Sequence, residues 1–216
     1  MDARALRRRG MSNRNKFKMQ RALGLELPGL GKPGALEKRA YPPGQHGQAR
    51  KKKPTEYGLQ LREKQKLLFH YGLREEQLRR FVRTARSLPG TNWVENLVRL
   101  LEQRLDNVCF RLGFARSIAA ARQLVSHGHV LVNGRLLTIG SALVRVGDFV
   151  KLTEYASGAM TEISRRAPWL PLPGYLQFAN DSVDTHGVVR MQPGLDHVPF
   201  EFHPSRVAEY YSQRGV

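Results

Sequence analysis

The sequence is poor in cysteine and contains no long apolar run. Its single cysteine, Cys109, excludes an internal disulfide framework and any zinc site built from several cysteines. We expect no metal and no other cofactor. Cys109 lies among apolar residues at helical spacing, which favours a buried hydrophobic side chain. No apolar stretch approaches the ~18 residues of a transmembrane helix. The amino terminus lacks the apolar core of a secretory signal, although its arginine content leaves an organelle transit peptide open. We expect no membrane partner.

Acidic residues are also scarce, and the resulting excess of positive charge indicates a polyanionic partner. The 216 residues include 36 Lys and Arg against 18 Asp and Glu, a formal net charge of +18. Residues 1–70 hold 18 of these cations and 5 of the acids, so the positive end is amino-terminal. A surplus of this size makes a compact chain repel itself, and a polyanion relieves that repulsion. The hydrophobic content of 41% is too high for a wholly disordered basic tail.

The local pattern predicts an extended arm followed by helices. Proline and glycine punctuate the arm too often for long helices. Beyond it, apolar residues recur at steps of three and four, which predicts three helices. These helices span residues 56–70, 74–87 and about 92–112. Ser117 is typical of the N-cap of a short fourth helix, which Gly128 ends.

The apolar period then changes to two, which predicts strands. Two strand pairs are expected, over residues 129–132 with 135–138 and over residues 143–146 with 149–153. Asn133-Gly134, between the first two strands, is the dipeptide favoured in tight hairpins. Beyond Pro168 the scattered apolar residues predict an irregular chain.

The unit from Leu101 to Gly134 combines these rigid elements with a basic face. Arg116 stands at the start of a predicted helix, where free N–H groups and positive potential suit phosphate. Arg122 and Gln123 follow on the polar side of the same helix. The unit therefore predicts RNA binding, without identifying the RNA.

Several stretches of this unit closely resemble the RNA-binding module named after the fourth protein of the bacterial small ribosomal subunit. They are Arg104-Leu105-Asp106-Asn107, Arg111-Leu112-Gly113-Phe114-Ala115, Ala121-Arg122-Gln123-Leu124-Val125 and His127-Gly128-His129-Val130-Leu131-Val132-Asn133-Gly134. Upstream stretches resemble the ribosomal protein family itself. They are Tyr41-Pro42-Pro43-Gly44-Gln45-His46-Gly47, Leu61-Arg62-Glu63-Lys64-Gln65-Lys66-Leu67 and Tyr71-Gly72. Because these motifs occur in the family's order, the chain is identified as a member of that family, in the branch without amino-terminal zinc-binding cysteines.

The resemblance implies an α+β fold. We expect a mostly helical domain with an inserted RNA-binding module of two helices plus a small antiparallel sheet, and an extended basic amino-terminal arm. The arm would span residues 1–47, the module residues 98–165, and the helical domain residues 48–97 completed by residues 166–216.

The resemblance also implies a structural role and no enzymatic activity. We expect a constituent of the small ribosomal subunit that binds small-subunit rRNA, nucleates assembly and contributes to decoding accuracy. Its partners would be that rRNA, neighbouring ribosomal proteins of the subunit, and mRNA where it enters. The expected location is the ribosome of a bacterial cytoplasm, with a plastid or mitochondrial matrix left open.

Carried over residue by residue, the resemblance implies three groups of rRNA contacts. The first is a loop of Tyr41, Gln45, His46 and Gly47. The second is a helical face of Arg50, Lys51, Lys52, Lys53, Tyr57, Arg62, Lys64 and Lys66. The third belongs to the module and comprises Arg104, Arg116, Arg122, Gln123, His127, His129 and Asn133. Phosphate contacts would set position, while Tyr41, Tyr57 or His46 could stack on unpaired bases. The family often has two basic residues after Ser117, and Ile118 and Ala119 remove that charge here.

Three alternatives remain open. Asp106 lies in an Arg-Leu-Asp stretch like that of some RNA-modifying enzymes with this module, although a structural ion pair is the simpler interpretation. His127 and His129 could form a metal pair, although no cysteine or carboxylate lies near them in sequence. A free-standing RNA chaperone that binds stalled ribosomal particles would share the same charge and module.

Overall fold

A computed structural model describes residues 16–31, 34–49, 53–90, 92–158, 168–179 and 186–215. The fold is α+β, with helices in the first half and a small antiparallel sheet in the second. The helices are α1 (Lys16–Leu23), α2 (Ala35–Lys38), α3 (Glu56–His70), α4 (Glu75–Ser87), α5 (Trp93–Glu102), α6 (Leu105–Arg111), α7 (Ile118–Ser126), α8 (Glu154–Ser157) and α9 (Pro204–Ser212). The strands are β1 (Val130–Val132), β2 (Arg135–Leu136), β3 (Phe149–Leu152), β4 (Leu176–Phe178) and β5 (His186–Val189).

The predicted helices over 56–70 and 74–87 are confirmed as α3 and α4. Thr55 caps α3, because its hydroxyl accepts a hydrogen bond from the Gly58 N–H at 3.2 Å. Gly72, at φ +63°, turns the chain away after α3. The α3 and α4 faces that carry Leu67, Leu78 and Val82 are fully buried in the main core.

The third helix is not continuous, which corrects the prediction over 92–112. It breaks between α5 and α6 because a later segment competes for the backbone: the Leu105 N–H donates to the Ala142 carbonyl at 2.8 Å, and the Asp106 N–H donates to Gly140 at 3.0 Å. Both halves bury their apolar residues in one core, so the hydrophobic period runs on across the break.

The short helix and the first hairpin are confirmed. The Ser117 hydroxyl accepts the Ala120 N–H at 3.1 Å and caps α7. Asn133 and Gly134 have φ values of +51° and +78°, the left-handed pair that a two-residue hairpin turn requires. β1 and β2 are antiparallel and joined by that turn.

The second predicted strand pair is wrong. Within the described residues the sheet has the order β2-β1-β3-β5-β4, so β3 pairs with β1 and β5, and residues 143–146 form no strand. The prediction of an irregular chain beyond Pro168 is also wrong. There β4 and β5 complete this sheet, and α9 packs on α3. These strands have only three or four residues, and pairing across the fold defines them better than their own alternation.

The amino-terminal arm also contains helical turns. The described residues of the arm include α1 and α2, where extended chain was expected. The division of the chain into an arm, a helical domain and a module stays a prediction. The carboxy-terminal segment contributes both to the sheet, through β4 and β5, and to the helical layer, through α9.

A buried carboxylate links the helices of the first half to the carboxy-terminal segment. Glu102, at the end of α5, accepts hydrogen bonds from the hydroxyls of Tyr71 and Tyr175 and from the Asn107 amide. All four side chains are completely buried. Because Tyr71 follows α3 and Tyr175 precedes β4, the carboxylate joins the helical layer to the carboxy-terminal segment. In the part of the chain that is described, every helix is too short or too polar to cross a bilayer.

Candidate nucleic-acid interface

The first predicted group lies in a surface loop, residues 41–47, that α1 holds in place. Arg21 of α1 donates to the carbonyls of Tyr41 at 2.9 Å and Pro42 at 3.2 Å, and its guanidinium lies over the Tyr41 ring. Gln45 and His46 are exposed at the tip. Gly47 is buried, and a Cβ there would lie 2.1 Å from the Pro42 carbonyl oxygen. Gly47 therefore shapes the loop, and Gln45 and His46 present their side chains to solvent.

The second group is divided by the structure. Arg50, Lys51 and Lys52 lie outside the described residues. Lys53 and Arg62 are exposed at the start of α3 and on its outer side. Tyr57 is 45% exposed, stacks on Tyr210 of α9 and accepts a hydrogen bond from Arg214 at 2.7 Å.

Two lysines of this group point into the protein. The Lys64 ammonium donates to Glu75 at 2.7 Å, and the Lys66 ammonium donates to Glu63 at 2.8 Å and to the Glu201 carbonyl at 2.9 Å. Both lysines are buried. Their positive charges are therefore neutralised inside the fold, where they join α3 to α4 and to the segment before α9.

Two arginines of the third group converge on one buried acid. Asp106 is fully buried and accepts two hydrogen bonds from Arg104, at 3.0 and 2.7 Å, and one from Arg122 at 2.8 Å. Arg122 also donates to the carbonyls of Tyr71 and Gly72, at 3.2 and 3.1 Å. The structural ion pair expected for Asp106 is present, and it anchors the module to the end of α3.

Exposed residues of α7 and of its two ends form a stripe. Gln123 and His127 are exposed four residues apart on one face of α7, and Arg116 is exposed just before the Ser117 cap that starts the helix. Ala119 and Ala120, also exposed, lie between them on that face. We call these five residues the α7 stripe. Its small central side chains allow a polyanion backbone to approach the helix closely.

Beyond the α7 stripe, His129 and Asn133 have local partners. The His129 ring stacks on Tyr155 with centroids 5.5 Å apart, and Tyr155 is 77% exposed. Asn133 donates to Asp148 at 2.8 Å and accepts from the Phe149 N–H at 2.9 Å, so its amide holds the hairpin turn against the next turn. His127 and His129 lie 6.3 Å apart between ring centroids. No cluster of three or more metal-binding side chains occurs among the described residues.

Comparisons with known proteins identify the family. A family model described as the ribosomal protein S4/S9 N-terminal domain matches residues 2–102, and one described as the S4 domain matches residues 103–150. The chain is 55% identical to small ribosomal subunit protein uS4B of Bdellovibrio bacteriovorus over 201 residues, 93% of this chain and 96% of that protein. It is 47% identical to uS4 of Acaryochloris marina over 204 residues, with the same two coverages. The chain belongs to the uS4 family.

The two uS4 family models meet where the helix breaks. The first ends at residue 102, the last residue of α5, and the second begins at residue 103. The backbone bonds from Leu105 and Asp106 to the 140–142 segment thus fall at the start of the S4 domain. The structural break and the sequence boundary of the family coincide.

Some exposed residues that could contact RNA are absent from the three predicted groups. Arg80 and Arg83 lie on the outer face of α4, and both are exposed. Their spacing on the polar side of a predicted helix is a signal, but solvated helix faces commonly carry such charge. Tyr155 lies in α8, beyond the motifs of the resemblance, and only its proximity to His129 reveals it.

Proposed function

We propose that this chain binds small-subunit rRNA as a structural constituent of the small ribosomal subunit. Membership of the uS4 family carries the proposal, because two relatives named as small ribosomal subunit proteins match almost the whole chain at 55% and 47% identity. The formal net charge of +18 is suited to an RNA partner. As a ribosomal structural protein, the chain is not an enzyme.

The α7 stripe supplies the geometric part of the proposal. Arg116 offers a permanently charged guanidinium at the helix start, beside the first-turn N–H groups of Ile118 and Ala119 that the Ser117 cap does not bind. Gln123 and His127 add hydrogen-bonding groups along the nine-residue helix, which makes about two and a half turns. No acidic side chain lies on this helix. An RNA backbone lying along α7 would therefore meet donors and no repulsive charge.

The exposed groups elsewhere extend the surface that we propose for rRNA. They are Gln45 and His46 of the 41–47 loop, and Lys53 and Arg62 at the start and on the outer side of α3. The exposed rings of Tyr57 and Tyr155 can stack on unpaired bases. For the cations with internal partners we propose a positioning role, since their charges already meet acids or carbonyls. These are Lys64, Lys66, Arg104 and Arg122.

Because residues 41–153 resemble the family, we also propose three more specific roles. They are nucleation of small-subunit assembly, an influence on decoding accuracy, and contact with mRNA where it enters. The exposed tip of the 41–47 loop is suited to such contacts, since the side chains of Gln45 and His46 are exposed and make no hydrogen bond to another described residue. A stop-codon readthrough reporter in cells with His46→Ala tests the effect on accuracy. A change of at least twofold in readthrough supports the role, and an unchanged level contradicts it.

Sedimentation tests the structural role against a chaperone role. Small subunits are washed in high salt and quantified for this chain by mass spectrometry. A structural constituent stays at about one copy per particle, because it is buried among rRNA contacts. Loss of the chain in the wash, with the particles intact, would instead support a transient RNA chaperone. An assay of base modification on small-subunit rRNA examines the enzyme alternative, for which we expect no product.

A further inference from the structure

A donor-rich cleft lies between α4 and the start of the S4 domain. It has a volume of about 240 Å³, and its lining comprises Gln77, Arg80, Phe81, Thr84, Arg104 and Ser141. The four α4 residues follow at helical spacing, so they form one face of that helix. Arg104 and Ser141 form the opposite wall, from the break before α6 and from the 139–143 segment that causes the break. The cleft thus joins parts of the chain that the two family models match separately.

Several donor groups of the cleft have no acceptor among the described residues. Arg104 uses Nε and Nη2 on Asp106, and within the described residues no acceptor meets its Nη1. Its guanidinium packs against the Phe81 ring at 5.6 Å from the centroid, which fixes its direction. Arg80 is exposed, and the ion pairs among the described side chains do not include it. Ser141 is exposed on the other wall, and its hydroxyl has no hydrogen bond to another described residue.

The charge of the cleft is positive. Its described lining includes two arginines and no carboxylate. Asp106 lies behind Arg104, but it is shared with Arg122, so this buried cluster keeps a net positive charge. A group with several acceptor oxygens and negative charge would satisfy both walls at once.

We propose that this cleft holds a phosphodiester group of bound rRNA, with Arg80 and Ser141 gripping it from opposite sides. The inference rests on the proposed function and deepens it by adding a contact on α4 that the family resemblance does not include. The volume of about 240 Å³ leaves room for a phosphate with part of its sugar. Arg104 positions the site, because its hydrogen bond to Asp106 and its packing on the Phe81 ring hold its guanidinium in place.

A double-mutant cycle in rRNA binding tests the proposal. The full chain and its variants Arg80→Ala, Ser141→Ala and the double variant are titrated against a small-subunit rRNA fragment at fixed salt. We expect about a tenfold or greater loss for Arg80→Ala and about a threefold loss for Ser141→Ala. The double variant should lose clearly less than the product of the two, because both side chains hold the same phosphate. Arg190→Ala, another exposed arginine that does not line the cleft, should change affinity by less than about twofold.

The outcomes separate this inference from the proposed function. If the wild-type chain fails to bind the rRNA, the proposed function fails and the cleft with it. If the wild-type chain binds but the two losses multiply, or Arg80→Ala behaves like Arg190→Ala, only the cleft proposal is overturned. Inorganic phosphate provides the second arm, through its effect on thermal unfolding. Stabilisation by phosphate that Arg80→Ala abolishes, with unchanged rRNA affinity, would identify a free-anion site and overturn the rRNA assignment.

Discussion

Replacing Arg122 with alanine should destabilise the fold more than it weakens rRNA binding. The side chain makes one hydrogen bond to the buried Asp106 carboxylate and one each to the Tyr71 and Gly72 carbonyls. A charge-assisted bond at a site about one-third exposed contributes about 1.5 kcal/mol, and each carbonyl bond about 0.5 kcal/mol. Asp106 keeps Arg104, so no buried charge is left alone. We therefore expect a loss of about 2.5 kcal/mol in the free energy of unfolding.

Urea denaturation followed by circular dichroism measures this loss. With a slope of about 2–3 kcal/mol per molar urea, the midpoint should fall by about 1 M. Arg116→Ala is the matched control, because Arg116 is exposed and has no hydrogen bond or ion pair to another described residue. Its unfolding free energy should change by less than about 0.5 kcal/mol, while its affinity for small-subunit rRNA falls about fivefold to tenfold.

The two variants must therefore behave in opposite ways. If Arg122→Ala unfolds at the wild-type urea concentration, the three hydrogen bonds do not contribute as argued. If Arg116→Ala binds rRNA as the wild-type chain does, the α7 stripe is not the RNA-facing side of the module. Either result would refute the distinction between positioning cations and contact cations.

The remaining predictions concern a buried histidine, the cysteine and the loop glycine. Burial lowers the pKa of His70 to about 3, below the unfolded value of 6.5, so the unfolded chain binds the proton first and stability falls below about pH 6.5. Between pH 7 and pH 4.5 this group should lower the free energy of unfolding by about 2.5 kcal/mol, measured by urea titrations. His70→Leu should lessen that fall and His46→Ala should not. Burial also raises the pKa of the Cys109 thiol, so an aromatic disulfide reagent at pH 8 should label it only after unfolding in urea. Rapid labelling of the native chain would contradict the buried position of Cys109. Gly47→Ala should distort the 41–47 loop and weaken rRNA binding with little change in the urea midpoint, whereas Gly174→Ala, which meets open space, should leave both unchanged.

The parts of the fold that follow from local chemistry could be predicted from the sequence. Thr55 and Ser117 cap their helices through the hydroxyl bonds that define an N-cap, and Asn133-Gly134 adopts the positive φ angles of a tight hairpin. Each of these features depends on residues within a few positions of one another. The periodicity of α3 and α4 is local in the same sense.

The missed features depend on contacts between distant residues. The break before α6 arises from bonds to residues 140 and 142, and β4 and β5 become strands only by pairing with β3. Likewise, the sequence shows which side chains are positive but not which are already paired. Lys64 meets Glu75 and Arg122 meets Asp106 only after folding. The motif therefore indicates an RNA-binding module more reliably than it indicates the individual contacts.

The salt dependence of rRNA binding tests the central claim most directly. The equilibrium constant for a small-subunit rRNA fragment is measured by filter binding over a range of monovalent salt concentrations. If the chain neutralises about eight phosphates, the logarithm of the constant should fall against the logarithm of salt with a slope of about −6 to −7. A slope near zero would contradict electrostatic recognition of the rRNA backbone by the exposed cations.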